Sequence, residues 1–206
     1  MKQLLKEFYA LCPDGICDPQ ALNEAERAEM ARGAMYLTGV IQRASTENGN
    51  GRIYPKEVLV REDRNYQMFI RQNRALGELD HSDGDVISLK DASHTIVQTW
   101  WDGDTLYGKL KLLNTPNGKI AQQLVQDGVT LGISSRGMGS LKESMGKKIV
   151  DDDFVLICYD LVANPSVPGG FLSEGIKINK IEEQKLLKKL TKDDRVVRII
   201  DSILGK

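Results

Sequence analysis

A chain of 206 residues with 41% hydrophobic and 28% charged residues has the make-up of a soluble folded protein of one ordinary domain, or one domain with helical extensions. A formal net charge of −1 excludes a general nucleic-acid binder, which needs a basic face to displace counterions, and no run approaches the roughly 20 apolar residues that would cross a bilayer. Leu4-Leu5 runs straight into Lys6-Glu7, so no signal-peptide core is expected, and the expected partner is protein.

Residues 1–33 read as a helical segment, with Asp18-Pro19 as an N-cap and first-turn proline and Gly33 as its close. Met35 to Arg43 alternates apolar and polar residues as a strand does and ends in the turn cluster Asn48-Gly49-Asn50-Gly51. Pro55 to Arg74 predicts a charged helix with Val58, Leu59, Met68 and Phe69 inward. The short apolar step Leu76 to Leu79 would leave His81 at a strand end, before the polar turn Ser82-Asp83-Gly84-Asp85. His94 to Leu113 predicts a hairpin about Asp102-Gly103-Asp104. Thr115 then caps a helix with Pro116 at its first position, Ile120, Leu124 and Val125 on one side, and Gly128 as the stop. Val129 to Ile133 predicts a strand leading into Ser134 and a glycine-rich loop, and Ile149 to Ala163 carries two apolar runs split by Asp151-Asp152-Asp153. Capping-box spacing at Asn179/Glu182 and Thr191/Asp194 predicts helices over 180–190 and 192–204. The sum is an α+β fold, an antiparallel barrel or folded sheet with helices around it. It divides into an N-terminal helical segment 1–33, a main domain 34–170 and a helical tail 171–206.

Chemistry concentrates in two phrases, Gly77-Glu78-Leu79-Asp80-His81 and Gly132-Ile133-Ser134-Ser135-Arg136-Gly137-Met138-Gly139-Ser140. A serine hydroxyl attacks a carbonyl only when an imidazole takes its proton, and the chain has two histidines, His81 and His94. The serine run does not fit G-x-S-x-G, which excludes an α/β-hydrolase elbow. Read as an anion-binding loop, Gly132 to Gly139 lacks the Lys-Ser/Thr of a P-loop. Cys12, Cys17 and Cys158 are too few and too scattered for a structural zinc site, so neither metal nor cofactor is expected. Asp160 lies between apolar residues, where an unpaired carboxylate would be costly to bury, so a partner for it is expected. The alternative for Asp160 is a strand-end carboxylate exposed to water or bonded to the Asn164-Pro165-Ser166 turn. Arg136 would orient the loop, meet an acidic substrate group, or stand in solvent.

The two phrases resemble the His and Ser motifs of the T-even-type tailed-phage prohead proteases, serine peptidases of head maturation related to herpesvirus assemblin. Asn48-Gly49-Asn50-Gly51-Arg52-Ile53-Tyr54-Pro55, Trp100-Trp101 and Tyr107-Gly108 are similar to further segments of that family, and the likeness runs from about Tyr36 to about Pro168. The resemblance implies an assemblin-like barrel as the protease domain, with Ser134 as nucleophile ahead of Ser135, His81 as general base and Asp160 as the residue that orients the imidazole. His94 departs from the family's order. Oxyanion donors would come from amides around Ser134 to Gly137 or Asn164 to Ser166. The implied substrates are capsid and scaffold proteins of the immature head, cut after Glu in a hydrophobic-x-Glu pattern, inside the assembling prohead in the host cytoplasm. The same pattern occurs in Leu22-Asn23-Glu24, Leu172-Ser173-Glu174 and Ile181-Glu182-Glu183, so self-cleavage that releases a C-terminal tail is expected. Related enzymes are oligomeric, which implies a homo-oligomer. The alternative is a non-catalytic core or scaffold protein on the same fold.

Overall fold

Short strands, the central ones buried on both faces, dominate the computed structural model, which describes residues 3–10, 23–82 and 84–163. One antiparallel sheet has β7 (Gly132–Gly139) between β1 (Gln3–Ala10) and β10 (Val155–Val162). A second, also antiparallel, runs β2 (Tyr36–Arg43), β6 (Thr105–Leu112), β5 (Ala92–Asp102), β4 (Leu76–Glu78). A small third sheet pairs β3 (Arg52–Ile53) parallel to β9 (Lys147–Val150), with β8 (Leu141–Ser144) antiparallel beyond. Helices α1 (Glu24–Ala31), α2 (Lys56–Arg71) and α3 (Pro116–Gln126) pack around them. The fold is thus α+β and rich in strands. Its hydrogen bonding does not close into a barrel, because β4 is three residues long and meets β10 through one parallel bridge, Leu79 with Leu161. No helix among the described residues is long and apolar enough to cross a membrane.

The hairpin at Asp102-Gly103-Asp104 forms as the sequence predicts, with Gly103 at φ 54°. So does the third helix, where the Thr115 hydroxyl accepts from Gly118 N–H at 3.1 Å and Pro116 opens the first turn. Residues 3–10 correct the reading of 1–33 as helical. Only Glu24–Ala31 of the described part is a helix, capped by the reciprocal Asn23–Glu26 box. Leu5 and Glu7 are both buried, two apart as on one face of a strand. The Glu7 carboxylate accepts from Asn50 Nδ2 at 2.7 Å, Tyr54 Oη at 2.9 Å and Arg52 Nη1 at 3.1 Å. That socket, with the whole β7 ladder, outweighs the helix propensity of Leu-Leu-Lys-Glu.

The main core lies among Leu37, Ile41, Ile96, Leu110, Ile133 and Leu161, and a second gathers Leu5, Tyr54, Val58, Leu59 and Phe154. On α2 the buried residues are Val58, Leu59, Glu62 and Tyr66. Met68, expected inward, is exposed because at 100° per residue it falls on the side opposite Leu59. Ile120 on α3 is exposed for a similar reason: the helix meets the sheet through Gly118 and Ala121. A Cβ at Gly118 would lie within 3.0 Å of the Leu113 and Ser93 carbonyl oxygens, so the helix backbone itself rests on the strand ends. The predicted helices at 180–190 and 192–204, Cys12, Cys17, and the Leu172–Glu174 and Ile181–Glu183 patterns lie outside the described residues.

Candidate active site

Side chains of a strand alternate between faces, and directly opposed residues of an antiparallel pair share one. Ser134 on β7 is opposed to Asp160 on β10, and Arg136 to Cys158, so these four groups stand on one face of the sheet. Ser135 is opposed to Tyr159 on the other face, and its Oγ there meets Gln42 Nε2 at 3.0 Å. Strand geometry therefore separates the two candidate serines. Ser134 shares its face with the buried carboxylate, and its Oγ is buried without a hydrogen-bond partner among the described residues. Leaving a buried hydroxyl unpaired costs about 1–3 kcal/mol, which marks the position as one kept for something other than stability.

His81 reaches the same carboxylate from outside the sheet. After β4, Asp80 N–H donates to the Leu161 carbonyl at 2.8 Å, and Asp80 adopts φ 64°, a left-handed turn that Asp tolerates better than most residues. The turn lays His81 Nδ1 at 3.0 Å from Asp160 Oδ2. With Nδ1–H donating to the carboxylate, Nε2 is the basic nitrogen of the ring. Asp160 lies within β10 and is fully buried, so it is not an exposed strand-end carboxylate. Its Oδ1 accepts from Glu78 N–H at 3.0 Å and faces the Cys158 thiol at 3.3 Å. Arg136 Nε lies 2.9 Å from Oδ2. Burial alone would push this carboxyl up, but the His81 bond, the Glu78 amide and the Arg136 charge together hold it below the usual aspartate range.

Arg136 is also fully buried, which excludes the solvated reading. Besides Asp160 its guanidinium meets Glu78 Oε2 at 3.1 Å and donates to the Gly84 carbonyl at 2.9 Å and to Ser82 Oγ. It thereby orients the chain that leaves His81. His94 is a different histidine altogether. Its Nε2 donates to the Tyr159 carbonyl at 3.0 Å, its Nδ1 accepts from Ser93 Oγ at 2.9 Å, and burial lowers its pKa to about 4. It is a neutral brace between β5 and β10.

The phrase Gly77–His81 can now be read residue by residue. A Cβ at Gly77 would fall closer than 3.0 Å to the Tyr159 carbonyl oxygen and to the His94 ring, so only glycine lets β4 approach β10. Glu78 binds Asp160 through its amide and Arg136 through its carboxylate. In the serine phrase, Gly137 presses on the Phe154 ring, where a Cβ would come to 2.5 Å. Gly132–Gly139 is a strand paired on both edges, which corrects the glycine-rich-loop expectation and removes the anion-loop reading with it. Ser134 to Gly137 pair with β1 and, through a bulge between Leu156 and Cys158, with β10, while the other expected source of oxyanion donors, Asn164 to Ser166, lies outside the described residues. Glu78 is the site residue that sequence reasoning missed. Its phrase was visible, but its partner lies on another sheet and no spacing rule connects them.

A buried serine opposed to a carboxylate that already holds a histidine's Nδ1 is the constellation of serine hydrolysis. The chain belongs to the prohead core protein serine protease family, whose pattern matches residues 9–183. It is 33% identical over 147 residues to the prohead core protein protease of enterobacteria phage T4, a match covering 68% of each chain. The fold superposes on the solved bacteriophage T4 capsid assembly protease with a TM-score of 0.66 and 28% identity, covering 80% of this chain and 99% of that one. The protein is a serine protease, which sets aside the non-catalytic scaffold alternative.

Proposed function

We propose that the protein is the endopeptidase that cleaves capsid and scaffold proteins of an immature phage head, with Ser134 as nucleophile, His81 as general base and Asp160 as the group that orients the imidazole. The observation that carries the assignment is Asp160 itself, bonded to His81 Nδ1 and opposed in register to Ser134. Ser134 Oγ attacks the peptide carbonyl and gives its proton to His81 Nε2. The imidazolium so formed is stabilised by Asp160 and later protonates the leaving amine. The capsid assembly role of the T4 protease supports the choice of substrates and of the prohead interior as the place of work. Cleavage falls after Glu in hydrophobic-x-Glu, and self-cleavage after Glu174 would release residues 175–206, nearly all of the tail 171–206, as a removable segment. The enzyme works as a homo-oligomer in the host cytoplasm, within the assembling head.

An assemblin-like barrel is the architecture this reading assumes. It is supported by a circuit of neighbours, since β1 lies in contact with β2 at one side and β10 with β4 at the other. The direct test is incubation of the purified protein with a peptide containing Leu-x-Glu and with its Leu-x-Gln counterpart, read by mass. Wild type cuts after Glu, Ser134→Ala does not, and Asp160→Asn slows cleavage by about 10³–10⁴-fold through the wrong imidazole tautomer. Cleavage that survives in Ser134→Ala would end the assignment.

A further inference from the structure

The charges around His81 do not balance, and the imbalance has a direction. Among the described residues, the titratable groups that approach from the packed elements are Asp160 and Cys158 on β10, Glu78 on β4, Arg136 on β7, His94 on β5 and Tyr66 on α2. Three of them are neutral near pH 7, because burial pushes the Cys158 thiol and the Tyr66 phenol up and the His94 imidazole down. Asp80 and Asp85, on the segment of His81 itself, are exposed, so water screens them. What remains among the described residues is one guanidinium between two carboxylates, all three residues fully or almost fully buried. With His81 neutral the cluster carries one uncompensated negative charge; with His81 protonated it carries none.

We propose that Glu78 and Arg136 are a positioning pair that fixes the charge against which His81 receives the Ser134 proton. The inference rests on the Ser134–His81 reading. In the step concerned the Ser134 O–H bond breaks, its electron pair forms the bond to the substrate carbonyl carbon, and the proton forms the N–H bond on Nε2. Negative charge leaves the buried cluster as it appears on the substrate oxygen. Glu78 supplies the excess charge that this transfer cancels, and Arg136 limits the excess to one unit. The same pair holds the chain on both sides of the segment after His81. Arg136 binds Ser82 Oγ and the Gly84 carbonyl, while Glu78 Oε1 accepts from Ser88 N–H at 2.5 Å. A structural clamp alone would need the hydrogen bonds, not the charges, and this separates the two roles.

The experiment is the pH dependence of labelling by a fluorophosphonate, together with the NMR titration of the His81 ring, with the His94 ring as internal reference. Glu78→Gln keeps size and shape, removes a negative charge, and moves the His81 midpoint and the acid limb of labelling to lower pH by about one unit. That is the size expected for one charge three ion-pair links away at an effective dielectric constant of about 20. Arg136→Met moves both to higher pH by a similar amount. Arg136→Lys, which keeps the charge and gives up the planar fork, leaves the midpoint within about a third of a unit, well short of a full-charge effect. Either charge-removing variant that folds decides the matter, because the shifts expected of Glu78→Gln and Arg136→Met have opposite signs. Shifts of the same sign in Glu78→Gln and Arg136→Met, or none in Glu78→Gln, would overturn the proposal while leaving the nucleophile and base in place. A wild-type protein that is not labelled at Ser134 would overturn the reading beneath it as well.

Discussion

Replacing Gly77 with alanine adds one carbon where β4, β5 and β10 meet. The new Cβ would fall within 3.0 Å of the Tyr159 carbonyl oxygen and of two atoms of the His94 ring. Neither neighbour is a flexible side-chain end. Tyr159 is opposed to Ser135 in the ladder, and the His94 ring is fixed at both nitrogens. Relief therefore requires β4 to move away from β10. Overpacking of this kind costs about 1–3 kcal/mol. Moving β4 also weakens Glu78 N–H to Asp160 and Asp80 N–H to Leu161, about 1 kcal/mol each. The total is about 3–5 kcal/mol, or a fall in Tm of roughly 10 °C for a domain of this size. Calorimetry of Gly77→Ala measures the fall, and fluorophosphonate labelling at a temperature where the variant is folded measures the effect on the site, expected as a loss of at least about tenfold from a displaced imidazole. A Tm within about 3 °C of wild type, with labelling intact, would refute the reasoning, since it would mean that β4 and β10 have room between them.

The remaining predictions concern the serines and the buried histidine. Ser134→Ala removes a partnerless buried hydroxyl, so it abolishes labelling while raising Tm by about 2–4 °C, and a lowered Tm would contradict the burial argument. Ser135→Ala, which takes a partner from Gln42, lowers stability by about 1 kcal/mol and keeps labelling within a few-fold of wild type. For His94 the folded pKa of about 4 lies below the ordinary 6.5, so between these values the unfolded chain binds more protons. Stability then falls as pH drops from about 6.5 to about 4, by about 3 kcal/mol in all, and denaturant titrations across that range should give a flatter profile for His94→Gln. Asp160, depressed in the folded state, adds a further loss as pH falls below the ordinary aspartate value of 3.8.

Much of this site could be read from residue order, and the reasons are local. The Asp102-Gly103-Asp104 turn, the Thr115-Pro116 cap and the apolar step before His81 each declare themselves within a few residues. The apolar neighbours of Asp160 pointed to a buried, partnered carboxylate but left an exposed strand end open. What could not be read is whatever depends on the third dimension. Gln3–Ala10 looks helical until its partner strand, far along the chain, supplies a ladder and Arg52, Tyr54 and Asn50 supply a socket for Glu7. The serine phrase looks like a loop because glycine and serine are turn formers. Here Gly137 is small to admit the Phe154 ring, and Gly132–Gly139 runs as a buried strand. Barrel closure depends on how far β4 extends along β10, which no periodicity encodes. Glu78 and Arg136 belong to phrases visible at once, but their pairing spans two sheets.

The long reach of β1 has a consequence for how the enzyme comes into being. The strand that carries Ser134 is flanked on one side by residues 3–10 and on the other by residues 155–162. Pairings so distant in sequence form late and slowly. A nascent chain therefore holds no assembled catalytic sheet until residue 162 has been translated and has paired, so the protease stays inert while the chain between β1 and β10 is being made.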